Sequence, residues 1–204
     1  MTPTRFGGGE VEVGGVRVSY LEAGQGMPLV HLQAAAAPRP TPAHVLLAHR
    51  FRVLIVAVPE APWSVDTLVQ VLTALGLDAV SLVGTSASAA GALRLALQAP
   101  ERVRALVLEA PATIPAPDRE TELERCLPAL ATPTLILLGT RDDQPPAMGH
   151  VCKALIPGSH LVYVYDAAHA ISVDRPEAFA EVVADFVERH DAFVISRART
   201  IIHP

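Results

Sequence analysis

The sequence predicts an α/β protein: a three-layer αβα sandwich whose mostly parallel sheet opens with an antiparallel hairpin. Two observations support this fold class. Short apolar segments alternate with segments of helical spacing along most of the chain. The short segments are apolar at successive positions, as in Val53–Val58, which is typical of strands covered on both faces of a parallel sheet.

The hairpin is predicted at the start of the chain. Alternating polar and apolar residues stand on both sides of Gly14-Gly15, a pair that favours a tight turn between two strands. The strands that follow are predicted at Leu29–Leu32, Val53–Val58, Ala79–Val83, Ala105–Leu108, Thr134–Leu138 and Leu161–Tyr165.

Helical spacing fills the segments between these strands. Gly76 ends one such segment, and Pro176 stands in the first turn of the last one, as expected at helix ends. The helices are predicted at Thr41–His49, Val65–Leu75, Ala89–Gln98, Arg119–Leu127, Ala147–Ile156 and from Pro176 to about His190.

Length and charge limit the classes of function. The 204 residues predict one domain, 1–204, with a core from about 11 to 190 and a tail, 191–204, to which we assign no role. A net charge of −5 without a basic stripe argues against a nucleic-acid partner. We expect no membrane segment and no secretory signal, because no apolar run is long enough, and we therefore expect a cytoplasmic protein.

The two cysteines, Cys126 and Cys152, are too few for a disulfide scaffold. They lack the CxxC spacing and the histidine neighbours of a zinc site. We therefore expect reduced cysteines, no metal and no organic cofactor.

A serine stands at the turn after one predicted strand. Gly84-Thr85-Ser86-Ala87-Ser88 lies between the strand that ends near Val83 and the helix that begins at Ala89. A serine on so sharp a turn needs small residues two positions before and after it, and here these are Gly84 and Ser88. The second is glycine in the usual G-x-S-x-G pattern, so the match is relaxed. The alternative is a serine that only caps the helix.

Two further turns carry an acid and a histidine. Gly139-Thr140-Arg141-Asp142-Asp143 follows one predicted strand, and Asp166-Ala167-Ala168-His169 follows the next. The carboxyl ends of parallel strands meet at one edge of the sheet, where sites of such folds lie. A nucleophilic serine needs a base, and the base needs an acid that orients it.

Nearly the whole chain, from Val11 to about His190, resembles the α/β-hydrolase superfamily, and in particular its small members without a cap. The segments that carry the resemblance, besides the serine turn, are Ala99–Leu108, Thr132–Asp142, Leu155–Ser159 with the strand to Tyr165, Ala168-His169 and Arg175–Phe179. The order Ser86, Asp142, His169 is also the order of the catalytic residues in that superfamily.

The resemblance implies a catalytic triad with Ser86 as nucleophile, His169 as general base and acid, and Asp142 as the acid that orients the histidine. Asp143 and Glu109 remain alternative acids, since Asp143 is the neighbour and some relatives carry an acid at the position of Glu109. We expect Asp166 to shape its loop instead.

The resemblance also implies an oxyanion hole made of two backbone N–H groups. One is expected from Ala87 and the other from Ala35, in the loop after the third strand. The superfamily usually has His-Gly in that loop, where this chain has Gln33-Ala34. If Ala34 has to adopt a positive φ, it is strained by about 1 kcal/mol or more.

Two connections that surround such a site are short. The segment from Ala110 to Thr134 is too short for a lid domain, and the loop after Val58 is reduced to Pro59–Trp63. We therefore expect a shallow, open site, with Trp63 either at its rim or packed elsewhere.

These features predict a serine hydrolase that acts on small or extended, accessible carboxylic esters or thioesters through an acyl-enzyme on Ser86. The alternative is a non-catalytic protein of the same fold that binds a small ligand or a partner. Its support is the altered loop at Gln33-Ala34, Ser88 in the serine turn and the missing lid.

Overall fold

The computed structural model describes residues 4–58, 64–112, 117–144 and 147–193. These residues form one eight-stranded sheet with helices on both faces. The strands are β1 (Gly7–Val13), β2 (Val16–Ala23), β3 (Pro28–Gln33), β4 (Arg52–Ala57), β5 (Val80–Thr85), β6 (Val103–Glu109), β7 (Thr134–Gly139) and β8 (His160–Val164). The helices are α1 (Pro42–Leu47), α2 (Val65–Ala74), α3 (Ala89–Gln98), α4 (Pro117–Cys126), α5 (Ala147–Leu155), α6 (Ile171–Asp174) and α7 (Pro176–Arg189).

The predicted hairpin is confirmed. β1 and β2 pair antiparallel, with Val13 opposite Val16 across the turn. Gly14 and Gly15 have φ of +58° and +78°, the left-handed pair that a two-residue hairpin turn requires. The strand begins at Gly7, earlier than the alternating pattern indicates.

The strand order is β1-β2-β4-β3-β5-β6-β7-β8. β2 is antiparallel to both of its neighbours, and from β4 to β8 all neighbours are parallel. The connection from β4 to β5 therefore crosses over β3. The carboxyl ends of β3, β5, β6, β7 and β8 lie along one edge. The predicted sheet, mostly parallel with an antiparallel opening, is confirmed.

Each face of the sheet has its own apolar core. On one face, called the α3 face here, the buried residues of the strands pack against α2, α3, α4 and α5. On the other, the α7 face, they pack against α1, α6 and α7. Strands buried on both sides explain why the sequence is apolar at successive positions rather than at alternate ones.

Candidate active site

Ser86 follows β5 directly and opens a short 3₁₀ turn, Ser86–Ser88, that leads into α3. Its φ is +50°, a conformation that residues other than glycine rarely adopt and that active sites often contain. Such a turn brings α3 very close to the strand. A Cβ on Gly84 would lie 2.8 Å from Ala89 Cα and 2.8 Å from Ala92 Cβ, so this position tolerates only glycine without rearrangement.

Ser88 stands where the usual pattern has a second glycine, and its hydroxyl holds the turn together. Oγ accepts a hydrogen bond from the Thr85 N–H at 2.9 Å and donates to the Leu32 carbonyl at 2.6 Å. The side chain is buried, so a hydroxyl without partners would be costly there. The substitution therefore ties the serine turn to the end of β3.

His169 and Asp142 are in direct contact. Nδ1 of His169 lies 2.8 Å from Oδ2 of Asp142, whose Oδ1 accepts the Gln144 N–H at 3.0 Å. An ionised carboxylate only accepts, so this network assigns the proton to Nδ1. Nε2 is then left with a lone pair, which is the form that a general base requires.

The loops that carry these two residues interlock. Arg141 N–H donates to the Ala167 carbonyl at 2.8 Å, and the Asp166 N–H donates to Thr140 Oγ1 at 3.0 Å. A Cβ on Gly139 would overlap the Ala168 carbonyl oxygen, so glycine is needed for the close approach. The distance between the acid and the histidine is thus set by backbone contacts.

Neither of the alternative acids is bonded to the histidine in the structure. Asp143 is exposed, whereas Glu109 is fully buried and bonds to Thr85 and Ser172 instead. Asp166, at φ +59°, pairs with the Arg141 guanidinium at 2.8 Å, as expected for a residue that shapes its loop.

The predicted serine is not hydrogen-bonded to the histidine. Within the described part of the chain, Ser86 Oγ lacks a hydrogen-bond partner, although the Ser86 carbonyl accepts the Ala112 N–H at 3.3 Å. Catalytic hydrogen bonds are often long without substrate. The triad of Ser86, His169 and Asp142 therefore stays a prediction. The structure shows the contact between His169 and Asp142 only.

The two predicted oxyanion donors differ in their surroundings. Ala87 is the second residue of the 3₁₀ turn, where helical N–H groups have no partner within the helix. The Ala35 N–H, in contrast, donates to the Gln33 carbonyl at 2.9 Å. It can serve an oxyanion only if it exchanges this bond.

Gln33, in place of the usual histidine, clamps the loop after β3. Its amide accepts from the Arg39 N–H at 2.8 Å and donates to the Arg39 carbonyl at 2.9 Å. Ala34 is absent from the positive-φ residues among those described, so the strain considered for it does not arise.

A cavity of about 240 Å³ opens between the loop after β3 and the residues that follow His169. It is lined by His31, Gln33, Ala34, Thr41, Thr85, Glu109, Ala170, Ser172 and Val173. Trp63, expected at the rim or in packing, lies outside the described residues.

The floor of this cavity is a buried polar chain that the sequence analysis did not predict. His31, Thr85 and Glu109 lie on the α7 face, Thr85 and Glu109 at the ends of their strands and His31 inside β3, and His44 reaches His31 from α1. Burial lowers the pKa of His44 to about 4 and lowers that of His31 well below its usual value, so both imidazoles are neutral near pH 7. Strand alternation could have placed His31, Thr85 and Glu109 on one face, but not His44.

Burial raises the pKa of the Glu109 carboxyl, while hydrogen bonds from Ser172 and Thr85 and the charge of His169 lower it. Burial also raises the pKa of the Cys152 thiol to about 12, and Cys126 is an exposed free cysteine. In the described residues, no cluster of three or more His, Cys, Asp or Glu side chains has the arrangement of a metal site. None of the described helices is long and apolar enough to span a membrane.

Solved structures with the same architecture include several hydrolases. The chain superposes on a serine hydrolase of carbazole degradation, CarC, with a TM-score of 0.76 and 20% identity over 90% of this chain and 99% of that one. The chain has the α/β-hydrolase fold. Naproxen esterase from Bacillus subtilis has the same fold, with a TM-score of 0.76 and 17% identity over 90% of this chain and 92% of its own.

A curated relative matches a shorter stretch. The pimeloyl-[acyl-carrier protein] methyl ester esterase of Neisseria meningitidis serogroup B, strain H44/76, is 40% identical over 63 residues, which are 30% of this chain. The match spans only 24% of the length of that esterase. No family model matches the chain. The fold predicted from the sequence is confirmed.

Proposed function

We propose that this chain is a serine hydrolase that cleaves small carboxylic esters or thioesters. The observation that carries the proposal is the oriented His169–Asp142 pair, with a 2.8 Å bond, on the sheet edge where Ser86 occupies a strained turn. The curated relative matched over 63 residues is a methyl ester esterase, and a naproxen esterase shares the fold, which favours esters among the possible substrates.

In the proposed reaction, Ser86 Oγ attacks the carbonyl carbon while its proton passes to His169 Nε2. Asp142 stabilises the imidazolium that forms. The histidine then gives this proton to the leaving alcohol or thiol, and the acyl group remains on Ser86. Water attacks the acyl-enzyme, His169 accepts the water proton, and the carboxylic acid leaves as Ser86 regains its hydrogen.

The oxyanion of each tetrahedral intermediate would accept from the Ala87 N–H in the 3₁₀ turn that precedes α3. We propose Ala35 as second donor, after its N–H has left the Gln33 carbonyl. Loss of one such donor costs about 10²–10³ in rate. Hydrolysis should therefore be slow unless substrate binding opens that turn.

The cavity of about 240 Å³ is lined by Thr85 and Ala170, the neighbours of Ser86 and His169, and not by the three predicted catalytic residues themselves. Its volume favours a short acyl group. Pockets that bury drug-sized ligands measure roughly 300–1,000 Å³. The polar groups on its floor already bond to one another, so a small apolar group loses little by binding there. The cytoplasmic location stays a prediction from the sequence.

A second candidate is a non-catalytic ligand-binding protein of the same fold. It is favoured by the occupied Ala35 amide and by the absence, among the described residues, of a bond between Ser86 and His169. Turnover separates the two candidates.

The test is hydrolysis of p-nitrophenyl esters and matched thioesters of increasing acyl length by wild type, Ser86→Ala and Ser19→Ala. Ser19 lies on β2 and serves as the control, since its hydroxyl only contacts Glu10. We expect Ser86→Ala to lose at least about 10³-fold in kcat/KM, Ser19→Ala to match wild type, and short acyl groups to react fastest. Equal turnover by Ser86→Ala and wild type would contradict the proposal.

A further inference from the structure

Glu109 joins the two turns that carry the proposed nucleophile and base. Its Oε2 accepts the Thr85 hydroxyl at 2.7 Å, and Thr85 immediately precedes Ser86. Its Oε1 accepts the Ser172 N–H at 2.7 Å, and Ser172 stands in α6 just after His169. The carboxyl group is completely buried, so both of its oxygens are used inside the protein.

Two histidines continue this chain of hydrogen bonds beyond Thr85. His31 Nε2 is hydrogen-bonded to Thr85 Oγ1, and His31 Nδ1 lies 2.7 Å from His44 Nε2. His44 Nδ1 in turn accepts the Thr41 backbone N–H at 2.8 Å. The chain of bonds therefore runs from the start of α1, through β3 and β5, to β6.

One donor fixes the direction of all these bonds. His44 Nδ1 lies 2.8 Å from the Thr41 backbone nitrogen and 2.9 Å from the Thr41 hydroxyl. A hydroxyl can donate or accept but a backbone N–H can only donate, so His44 Nδ1 accepts and the proton of the neutral imidazole is on Nε2. His44 then donates to His31 Nδ1, His31 Nε2–H donates to Thr85, and the only hydrogen of the Thr85 hydroxyl points to Glu109. Both Glu109 oxygens thus face donors.

We infer that Glu109 is a positioning residue, which holds the Ser86 turn and the His169 loop at the separation that catalysis requires. The inference rests on the hydrolase activity proposed above. Glu109 lines the cavity, but both of its carboxylate oxygens are already hydrogen-bonded, so it acts through Thr85 on one side and the Ser172 amide on the other. A displacement of about 1 Å between reacting groups can cost about 100-fold in rate, so a loosened bridge should lower kcat rather than substrate affinity.

The directed chain predicts that glutamine cannot replace Glu109. The amide introduced by Glu109→Gln would point its NH₂ group at one of two donors. Facing Thr85, it leaves the hydroxyl hydrogen of Thr85 without an acceptor. Facing Ser172, it sets two N–H donors against each other. If the chain ran in the opposite direction, from a protonated Glu109 toward His44, glutamine would be a good mimic. Glu109→Gln therefore distinguishes the two directions.

The variants to compare are Glu109→Gln, Thr85→Val and Thr85→Ser, with Thr134→Val as a matched control. Thr134 is also a strand threonine, buried where Thr85 is half-buried, but it lies at the amino end of β7, away from the active-site edge, and donates to the Thr132 carbonyl at 2.8 Å. Fluorophosphonate titration gives the concentration of reactive sites, so that kcat refers to folded enzyme only.

We expect Glu109→Gln and Thr85→Val to lower kcat per reactive site about 10- to 100-fold, with KM within about threefold of wild type. Thr85→Ser should restore kcat to within about threefold, because it keeps the hydroxyl. Thr134→Val should lose stability but keep the wild-type kcat. Wild-type kcat per site in both Glu109→Gln and Thr85→Val would overturn the positioning role while leaving the hydrolase proposal intact.

A measurement on the wild type covers the case in which the variants do not fold. Nitrogen-15 NMR of the imidazoles should find the proton on Nε2 in both His31 and His44, and protons on Nδ1 would overturn the directed chain. A wild type that neither reacts with fluorophosphonate nor hydrolyses esters would refute the proposed function and the positioning role together.

Discussion

The two faces of the sheet fix the same active-site edge in different ways. On the α3 face, Gly84 lies so close to Ala89 and Ala92 that no added atom fits, and close packing sets the distance between β5 and α3. On the α7 face, His31, Thr85 and Glu109 are held by hydrogen bonds. The α3 face should be sensitive to added side-chain volume, and the α7 face should be sensitive to protonation. Each face can therefore be disturbed without the other.

The largest expected effect concerns the acid that orients the histidine. Asp142→Asn should lower kcat about 10⁴-fold, because an amide in contact with Nδ1 favours the wrong tautomer of His169. Circular dichroism and stability should remain close to wild type. Asp143→Asn is the control, since Asp143 is exposed and is not bonded to His169. Loss of activity in Asp143→Asn with full activity in Asp142→Asn would reverse the assignment.

The buried histidines of the α7 face should make the free energy of unfolding depend on pH. The pKa of His44 is about 4 in the folded protein, below the usual 6.5, so folding favours its neutral form. The stabilisation is fully present above about pH 6.5 and is lost as pH falls toward 4, because the unfolded chain then binds a proton that the folded protein excludes. Over this pH range, His44 lowers the free energy of unfolding by about 3 kcal/mol, and His31 lowers it further.

Glu109 opposes this trend in part. Its pKa is raised in the folded state, so the folded protein takes up that proton at a higher pH than the unfolded chain does. Urea unfolding between about pH 7.5 and pH 5 should still give a falling free energy of unfolding. His49→Asn, which removes an exposed histidine, should leave the slope unchanged. A flat profile over this range would mean that the two buried imidazoles do not set it.

The α3 face should be destabilised by a single added methyl group. Gly84→Ala places a Cβ 2.8 Å from two atoms of α3 and should destabilise the protein by about 1–3 kcal/mol at any pH. Gly91→Ala in the same helix is the control. Its Cβ would lie 3.8 Å from Leu68 Cδ1, and alanine should stabilise the helix by up to about 1 kcal/mol. Equal unfolding free energies for the two variants would contradict the close packing.

The smallest effect is expected away from both of these regions. Arg52 Nε lies 2.7 Å from Glu22 Oε1, and about a third of each side chain is exposed. Because water and salt screen such a pair, Arg52→Gln should change the free energy of unfolding by less than about 1 kcal/mol, and less still at high salt. A larger loss would mean that this pair contributes as much as the buried chain.

The sequence predicted the parts of the molecule that depend on local pattern. The strands, the hairpin at Gly14-Gly15 and the helix Ala89–Gln98 were readable because burial and turn geometry leave regular spacings. Helix α6 was missed, since four residues are too few to show a helical period.

The candidate site was only partly readable. Position at strand ends selected Asp142 and His169, but only the resemblance favoured Asp142 over Asp143, because neighbouring side chains differ mainly in the direction in which they point. The chain from Thr41 to Glu109 joins residues far apart in sequence, and no local pattern encodes it. The occupied Ala35 amide likewise depends on how Gln33 closes its loop.

The most direct test of the central claim is the intact mass of the protein after fluorophosphonate treatment, for wild type, Ser86→Ala and His169→Ala. We expect one adduct on the wild type, none on Ser86→Ala, and far slower labelling of His169→Ala, whose serine has no base. Thermal unfolding would establish that each variant is folded. An unlabelled, folded wild type, or equal labelling of Ser86→Ala, would contradict the claim that Ser86 is an activated nucleophile.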